Sequence, residues 1–266
     1  MKDFKNYTIC REQLARPEDL DKIDRLVESK GDTSSAEHLE VITFPLGNET
    51  VSLRGGSTDA TVFYETFLGL YHIPPYLPDE PKTVLDLGAN IGLTAAHYCA
   101  LFPNCKLIAV EADPTSAAIA VSNTLPWRDR CTVKSVAVWK DDGGAMFGVR
   151  KGNEYAGRIG GQGEQMVVQT TTIDALIDEL GVDCVDFVKM DIEGAEEELI
   201  KSHNSWTKRV RAILVELHGY PKKKCIAKLR RLGFAAQNHE KHWDSVFATR
   251  IEQPSFRLNR LFSFWR

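Results

Sequence analysis

The chain has 266 residues and a formal net charge of −4 at pH 7. This length fits one large α/β domain with an accessory segment better than two full domains. The hydrophobic and charged shares, 43% and 26%, are ordinary for a soluble globular protein. The weak negative charge predicts no polyanion partner, so we expect no nucleic acid to bind.

The six cysteines are scattered, without a C-x-x-C pair or a Cys/His cluster at zinc spacing, which is typical of a reducing cytosol. Residues 1–16 mix acidic and basic side chains and lack the apolar core of a signal peptide. No stretch approaches the roughly 18 apolar residues that cross a bilayer. We therefore expect a cytoplasmic protein with no membrane span.

Residues 1–80 are predicted to form an N-terminal extension of helical pieces and a β-hairpin. Leu14, Leu20, Ile23 and Leu26 give a weak amphipathic pattern within a polar, charged segment. Two β-rich runs follow on either side of a proline-containing turn, at 41–44 and 50–53. A stretch with apolar residues at helical spacing then begins near Thr58 and ends before Pro74.

From residue 81 to about 250 the pattern changes to strand, glycine turn and helix, repeated. Each of the apolar runs 83–87, 106–110, 133–138, 185–190 and 212–217 is predicted to be a strand. Helices are predicted at 91–101, 115–124, 194–201 and 222–232, and an antiparallel edge hairpin at 234–237 and 245–249. This alternation predicts a doubly wound α/β sheet that is mostly parallel, with ligands outside the carboxyl ends of its strands. Residues 251–266 form a basic, aromatic tail.

The first strand ends in the turn Asp86–Gly92. A dinucleotide fingerprint G-x-G-x-x-G starting at Gly88 fails at Asn90 and Leu93, which argues against an NAD-linked oxidoreductase. A carboxylate at Asp86 repels a diphosphate but suits the ammonium and sulfonium groups of S-adenosylmethionine (SAM). A tight strand-to-helix turn without a ligand explains this segment equally well when it is taken alone.

Acidic residues also follow the later strands. Glu111 comes about twenty residues after the glycine turn, where a carboxylate can accept hydrogen bonds from ribose hydroxyls. Asp191 and Glu193 follow the fourth strand, and Glu216 and His218 follow the fifth. Polar residues that end strongly apolar strands are expected to face a site. The acidic run 196–198 is interpreted as a solvated first helical turn, favoured by the helix dipole.

At these residues the sequence resembles the FkbM-type SAM-dependent methyltransferases, over about Arg54 to Leu217. Three segments carry the resemblance: 84–92, 108–114, and 172–176 leading into 186–196. Ala112 stands where the family usually has proline. The resemblance implies a class I methyltransferase fold, Rossmann-like and seven-stranded, with SAM over the first strand end and the acceptor near the fourth. It also implies O-methylation of a sugar, glycolipid or polyketide hydroxyl.

The predicted site follows from these assignments. The cofactor is expected to contact Asp86, Gly88, Ala89, Asn90, Gly92, Glu111, Ala112 and Asp191. For the hydroxyl proton, His218 is the base expected to titrate near neutral pH, with Asp191 as its rival and Glu193 beside them. Lys189 either lowers the acceptor's pKa or pairs with a neighbouring acid. Asp191 and Glu216, joined by Glu193 or His218, are the candidate ligands for a Mg²⁺ ion that would bind an acceptor diol.

The surroundings of the site leave several alternatives open. Basic residues that could frame the acceptor are Arg54, Arg150, Lys151 and Arg158. The glycine-rich segment 152–163 is interpreted as a mobile lid or, equally, a plain surface loop. A tryptophan beside the pocket would favour a carbohydrate acceptor over another small molecule. The N-terminal segment and the aromatic tail are both candidates for mediating a homodimer, and a non-catalytic SAM-binding module is the remaining rival function.

Overall fold

A computed structural model describes residues 1–30, 39–43, 49–150 and 153–251 of the chain. The side chains of residues 43, 149–150 and 153–156 are outside this description. The predicted roles of Arg150, Lys151 and the tail beyond residue 251 therefore lie outside the described part, as does the predicted turn between the first two β-rich runs.

The elements follow one another in two groups. Those before residue 81 are β1 (Lys2–Asp3), α1 (Pro17–Glu28), β2 (Leu39–Thr43), β3 (Thr50–Arg54), α2 (Asp59–Tyr64), a π-helical turn (Glu65–Gly69) and β4 (Tyr76–Leu77). Those after it are β5 (Thr83–Leu87), α3 (Leu93–Leu101), β6 (Lys106–Glu111), α4 (Pro114–Asn123), β7 (Cys131–Ser135), β8 (Ala137–Val138), β9 (Gly143–Arg150), β10 (Asn153–Ile159), β11 (Glu164–Thr171), α5 (Ile173–Glu179), β12 (Val185–Met190), α6 (Glu196–Lys201), β13 (Val210–Glu216), α7 (Lys222–Arg231), β14 (Phe234–Asn238) and β15 (Ser245–Arg250).

Seven strands form the central sheet in the order β14-β15-β13-β12-β5-β6-β7. Strand β15 pairs antiparallel with both of its neighbours, and the other pairings are parallel. This confirms the predicted doubly wound, mostly parallel sheet with an antiparallel edge. The strand order reverses direction between β5 and β12, so their carboxyl ends mark the switch point where ligands bind in such sheets.

Both faces of the sheet are covered, which explains the unbroken apolar character of the central strands. Because side chains alternate along a strand, neighbouring residues enter different cores. Val84 and Phe187 belong to the cluster on one face, whereas Leu85 and Val188 belong to the cluster on the other. Burial of both sets fixes the register of the sheet and therefore the position of the strand ends.

The N-terminal elements pack on the main sheet's helical layer. Leu14, Ile23 and Leu26, which the amphipathic pattern singled out, are buried in a third cluster that includes Ile91 and Leu93 at the start of α3. Strands β2 and β3 form the expected antiparallel pair. Helix α2 and its π-helical turn are thereby held over the carboxyl edge of the sheet, where they border the site described below.

Residues 137–171 differ from the sequence-based expectation. They form a second sheet in the order β10-β9-β11-β8, and residues 153–159 of the predicted lid or loop are the strand β10. Glycines hide the strand pattern because they have low β propensity, yet here they permit close approach: a Cβ on Gly148 would lie 2.4 Å from the carbonyl oxygen of Gly161. The predicted third strand is also divided, because β8 leaves the central sheet to pair with β11.

Helices of the described ranges are all too short or too polar to cross a membrane.

Candidate active site

A cavity of about 620 Å³ opens at the carboxyl ends of β5, β6, β12 and β13. Helix α2 and its π-helical turn border it on one side, and strands β9 and β10 contribute Phe147, Gly157 and Ile159. Among the predicted site residues, those that line it are Gly88, Ala89, Asn90, Glu111, Ala112, Asp191, Glu193, Glu216 and His218. The structure thus brings most of the predicted residues to one cavity at the switch point.

The glycines of the first turn are required mainly by contacts within the protein. Gly88 and Gly92 have φ of +79° and +81°, in the left-handed region that favours glycine. A Cβ on Gly88 would lie 1.7 Å from the backbone oxygen of Asp191, and one on Gly92 would lie 2.9 Å from the Cα of Ala120. These glycines let the end of β12 and helix α4 approach the turn. Gly88 lines the cavity, so its contact with the cofactor stays a prediction, whereas Gly92 does not line it.

Asp86 differs from its predicted position. It is fully buried beneath the turn and does not line the cavity. Its Oδ2 accepts a hydrogen bond from Thr94 Oγ1 at 2.5 Å, and its Oδ1 lies 3.4 Å from Lys189 Nζ. The predicted direct contact with the cofactor's ammonium group is therefore not what the structure shows, because this strand residue points into the protein and already has a counter-ion.

Lys189 takes the second of its two predicted roles and pairs with acids. Its Nζ donates to the carbonyl oxygen of Gly88 at 2.8 Å and lies 3.3 Å from Asp191 Oδ2. Burial by itself would lower its pKa, but the carboxylates of Asp191 and Asp86 outweigh burial and raise the pKa above its usual value. Lys189 is 3% exposed and does not line the cavity, so it has no path to an acceptor oxygen.

Glu111 lies where the ribose of a nucleoside was expected. Its Oε2 accepts a hydrogen bond from the Asn90 backbone N–H at 2.8 Å, and its Oε1 accepts one from the Asp113 N–H at 2.8 Å. Burial raises its pKa to about 7, although these two bonds oppose the shift. Each carboxylate oxygen keeps a further lone pair that can accept from a hydroxyl in the cavity.

Three carboxylates surround one imidazole at the other end of the cavity. The Nε2 of His218 lies 3.5 Å from Glu193 Oε1, 3.6 Å from Glu216 Oε1 and 3.8 Å from Asp191 Oδ1. These four side chains, which we call the acid–imidazole cluster, come from the ends of the adjacent strands β12 and β13. Glu193 adopts φ of +52°, a strained value for a residue other than glycine, and this turns its carboxylate toward His218.

The charge state of His218 differs from the sequence-based expectation. Burial would lower its pKa, but hydrogen bonds to Glu196 and Glu216 and the nearby carboxylates outweigh burial and raise the pKa to about 11. The imidazole of the cluster as described is therefore protonated at neutral pH and does not titrate there. Burial raises the pKa of Glu193 to about 7, although His218 opposes the shift.

Glu196 is a residue whose position the sequence reasoning missed. It is fully buried rather than solvated. Its Oε1 accepts hydrogen bonds from the Ile192 N–H and from His218 Nδ1, both at 3.0 Å, and its Oε2 accepts one from the Gly194 N–H at 2.9 Å. The helix-start pattern could have indicated a capping carboxylate, but the contact with His218 joins residues 22 positions apart and has no local signal.

Part of the acid–imidazole cluster has the arrangement of metal ligands. Asp191, Glu193 and His218 each offer one ligand atom, and these atoms lie within 4.8 Å of one another. Carboxylate oxygens and an imidazole nitrogen are suitable ligands for a divalent cation. The predicted ligand Glu216 stands outside this set of three but lies beside it, through its 3.6 Å approach to His218.

The rim next to the cluster contains residues that sequence reasoning did not assign to a site. Glu65 and Tyr71 come from the π-helical turn and the segment after it, and Lys241, His242 and Trp243 come from the loop between β14 and β15. Trp243 is 77% exposed although it borders the cavity. The π-helical turn and this loop are far apart in sequence. The antiparallel hairpin of β14 and β15 brings the loop to the site.

Two of the predicted basic residues do not frame the acceptor. Arg54 is buried, donates to Asp59 through Nε and Nη2 at 3.0 and 2.9 Å, and approaches Ser116, so it joins β3 to the starts of α2 and α4. Arg158 is exposed and outside the cavity lining.

The cavity suits a positively charged nucleoside. Its volume is in the range of small-molecule sites, and Glu111 places a carboxylate at the end of the strand next to the glycine turn. Further carboxylates line the same space at Glu65, Asp191, Glu193 and Glu216, an arrangement that opposes a diphosphate and favours a cation. The residues present therefore fit SAM, with Glu111 for the ribose and the turn at Gly88–Asn90 along the bound molecule.

The strand order, the glycine turn at its switch point and this carboxylate-lined cavity are typical of the class I methyltransferase fold. Residues 86–245 match the methyltransferase FkbM domain, and the chain belongs to that family. The family prediction made from the sequence is confirmed, and the family match argues against the alternative of an NAD-linked oxidoreductase.

One curated relative and two solved structures illustrate what the chain is similar to. The 2-O-methyltransferase NoeI of Sinorhizobium fredii is 27% identical, over 53% of this chain and 65% of the relative. The chain thus spans less than two thirds of that relative's length. Among solved structures, Aeropyrum pernix fibrillarin with bound S-adenosyl-L-methionine gives a TM-score of 0.42 at 14% identity, covering 67% of this chain and 70% of that chain. The precorrin-6y C5,15-methyltransferase of Geobacter metallireducens gives 0.39 at 13%, covering 64% and 79%.

Proposed function

We propose that the protein transfers the methyl group of SAM to a hydroxyl oxygen of a sugar, oligosaccharide or glycolipid. The observation that carries the proposal is the continuity of one cavity. It runs from the glycine turn and Glu111 to the acid–imidazole cluster, and an exposed tryptophan stands on its rim. The printed name of the relative NoeI, a 2-O-methyltransferase, supports oxygen as the methylated atom.

Trp243 supports a carbohydrate as the acceptor. The indole of Trp243 is 77% exposed at the cavity mouth, so its apolar face is in contact with water and is available to stack on a bound molecule. The apolar C–H face of a sugar ring stacks on such a surface while its hydroxyls reach polar groups. Glu65, Glu216 and His242 line the same end of the cavity and can accept or donate those hydrogen bonds.

The chemistry requires alignment and a place for one proton. SAM, when bound, supplies a sulfonium methyl group. The acceptor oxygen forms a bond to that carbon as the carbon–sulfur bond breaks, and the hydroxyl proton passes to the protein. Because His218 is protonated in the cluster, a carboxylate that faces its Nε2, Asp191 or Glu193, accepts the proton. The imidazolium then stabilises the partial negative charge that develops on the acceptor oxygen.

A divalent cation is the second candidate for activating the acceptor. The ligand atoms of Asp191, Glu193 and His218 lie close enough together to bind one ion, and Glu216 lies beside them. This set overlaps the Mg²⁺ ligands predicted from the sequence. Such an ion would lower the pKa of an acceptor hydroxyl and orient a diol. Full turnover in the presence of EDTA would remove this candidate, whereas loss in EDTA that Mg²⁺ or Mn²⁺ restores would support it.

The decisive experiment is a methyl-transfer screen with radiolabelled SAM against monosaccharides, glycosides, glycolipids and small alcohols. Labelled product with carbohydrate acceptors supports the proposal, and product only with a polyketide or another small hydroxyl compound would replace the acceptor class. Binding of SAM without transfer to any acceptor would favour the non-catalytic module. The predictions of a cytoplasmic location, a homodimer and the absence of nucleic acid remain predictions.

A further inference from the structure

Glu196 is the buried acid at the start of α6, and nothing in its sequence context distinguishes it from the two acids that follow. The three consecutive glutamates have different environments. Glu196 is fully buried, whereas the side chains of Glu197 and Glu198 are 45% and 37% exposed. Burying a carboxylate is costly unless it is paired and hydrogen-bonded, so its contacts account for its presence.

Those contacts reach both the turn that carries Asp191 and Glu193 and the imidazole ring of His218. The backbone N–H groups of Ile192 and Gly194 donate to the two oxygens of Glu196, which closes the turn that carries Asp191 and Glu193. The Nδ1 of His218 contacts the same carboxylate at 3.0 Å. Since Glu196 is acceptor-only when ionised, the proton of this bond lies on Nδ1 and the ring orientation is fixed.

The ring orientation determines what the other nitrogen faces. With Nδ1 directed at Glu196, Nε2 points to the cavity side, between Asp191, Glu193 and Glu216. A 180° ring flip about the Cβ–Cγ bond would place a carbon opposite the buried carboxylate and leave that charge without its partner. The cost of an unpaired buried charge is large, so the orientation observed is the stable one.

We infer that Glu196 is the positioning residue of this active site: its carboxylate orients the imidazole of His218 toward the acceptor and anchors it to the turn of Asp191 and Glu193. The inference rests on the proposed function, because the acid–imidazole cluster is taken as the acceptor end. Glu196 itself does not line the cavity, so it acts through His218 and not by touching the acceptor.

The test compares Glu196→Gln with Glu197→Gln, its exposed neighbour on the same helical turn. Carboxylates that orient an imidazole of a site typically contribute about 10- to 100-fold to activity, so we expect kcat to fall by that factor in Glu196→Gln only. Affinity for SAM, measured by calorimetry, should stay at the wild-type value in both variants. A Glu196→Gln enzyme with wild-type kcat would overturn the inference.

A double-mutant cycle separates positioning from general stabilisation. In a His218→Ala background, Glu196→Gln should cause no further loss of kcat, because its effect passes through the missing ring. Losses that multiply would show a merely structural role. A second readout needs no acceptor: the ring ¹H–¹⁵N NMR signal of the His218 Nδ1–H should shift in Glu196→Gln, because a charge-assisted hydrogen bond becomes a neutral one, and should keep its wild-type position in Glu197→Gln; an unchanged signal in both variants would overturn the inference. Absence of transfer by the wild-type protein would instead refute the proposed function and leave the NMR comparison intact.

Discussion

The Nζ atom of Lys189 lies 3.4 Å from Oδ1 of Asp86, and both residues are buried at the switch point of the sheet. They are register partners on the adjacent strands β12 and β5. The same ammonium group donates to the Gly88 carbonyl and approaches Asp191. Lys189 thus links the turn after β5 to the turn after β12 from beneath.

We expect Lys189→Met to destabilise the protein strongly. The substitution keeps a chain of similar length but leaves the Asp86 carboxylate buried without its cation, which typically costs about 3–5 kcal/mol of unfolding free energy. Urea denaturation measures the loss. Lys201→Met is the control, because Lys201 is 63% exposed and its pair with Glu197 should contribute less than about 1 kcal/mol. Equal stability of the two variants would contradict the structural role of Lys189.

Glu111→Gln should weaken SAM binding. A carboxylate that accepts hydrogen bonds from ribose hydroxyls contributes about 1.5–3 kcal/mol through its charge, which corresponds to a dissociation constant about 10- to 100-fold higher in the variant. Calorimetry with SAM or its demethylated product measures the change. Glu164→Gln, an exposed position on β11, should bind like the wild type. If Glu111→Gln also binds like the wild type, the ribose is held elsewhere.

Trp243→Ala should raise KM for a carbohydrate acceptor by about 3- to 10-fold, the value of one stacking contact, and leave SAM affinity unchanged. Its side chain is 77% exposed, so unfolding free energy should change by no more than about 0.5 kcal/mol. Trp243→Phe retains an aromatic face and should recover most of the affinity. Steady-state kinetics of the two variants would contradict the stacking role if alanine and phenylalanine gave the same KM.

Stability should fall as the pH drops below about 6.5, because of buried histidines. Burial lowers the pKa of His97 to about 3 and that of His72 well below its usual value, and His72 Nε2 lies 2.8 Å from His97 Nδ1. Each ring stays neutral when folded and takes up a proton near pH 6.5 when unfolded. The contribution of each neutral ring to the free energy of unfolding is therefore complete above pH 6.5. It falls by about 1.4 kcal/mol per pH unit below that value.

The variant His97→Gln tests this linkage. Glutamine can still hydrogen-bond to Tyr7, whose hydroxyl lies 3.0 Å from His97 Nε2, but it does not titrate. The dependence of unfolding free energy on pH between 6.5 and 5 should become shallower by about one proton, as measured by urea denaturation at several pH values. An unchanged slope would mean that His97 does not contribute to the acid sensitivity.

The sequence determined the features that depend on neighbouring residues. The apolar runs that became β5 and β12, the turn at Gly88 and the acids after each strand are local patterns, and a parallel sheet then requires its strand ends to share one edge. For that reason Glu111, Asp191, Glu193, Glu216 and His218 could be assigned to one site without coordinates.

Tertiary structure decided which of these groups face the cavity and which are already paired. Asp86 and Lys189 were predicted at the site but neutralise each other inside the protein, and Glu196 was predicted on the surface but is buried against His218. The position of Trp243 depends on an edge hairpin. Burial, ion pairing and pKa arise from contacts between distant segments, so a strand end indicates that an acid is near the site but not where its charge is directed.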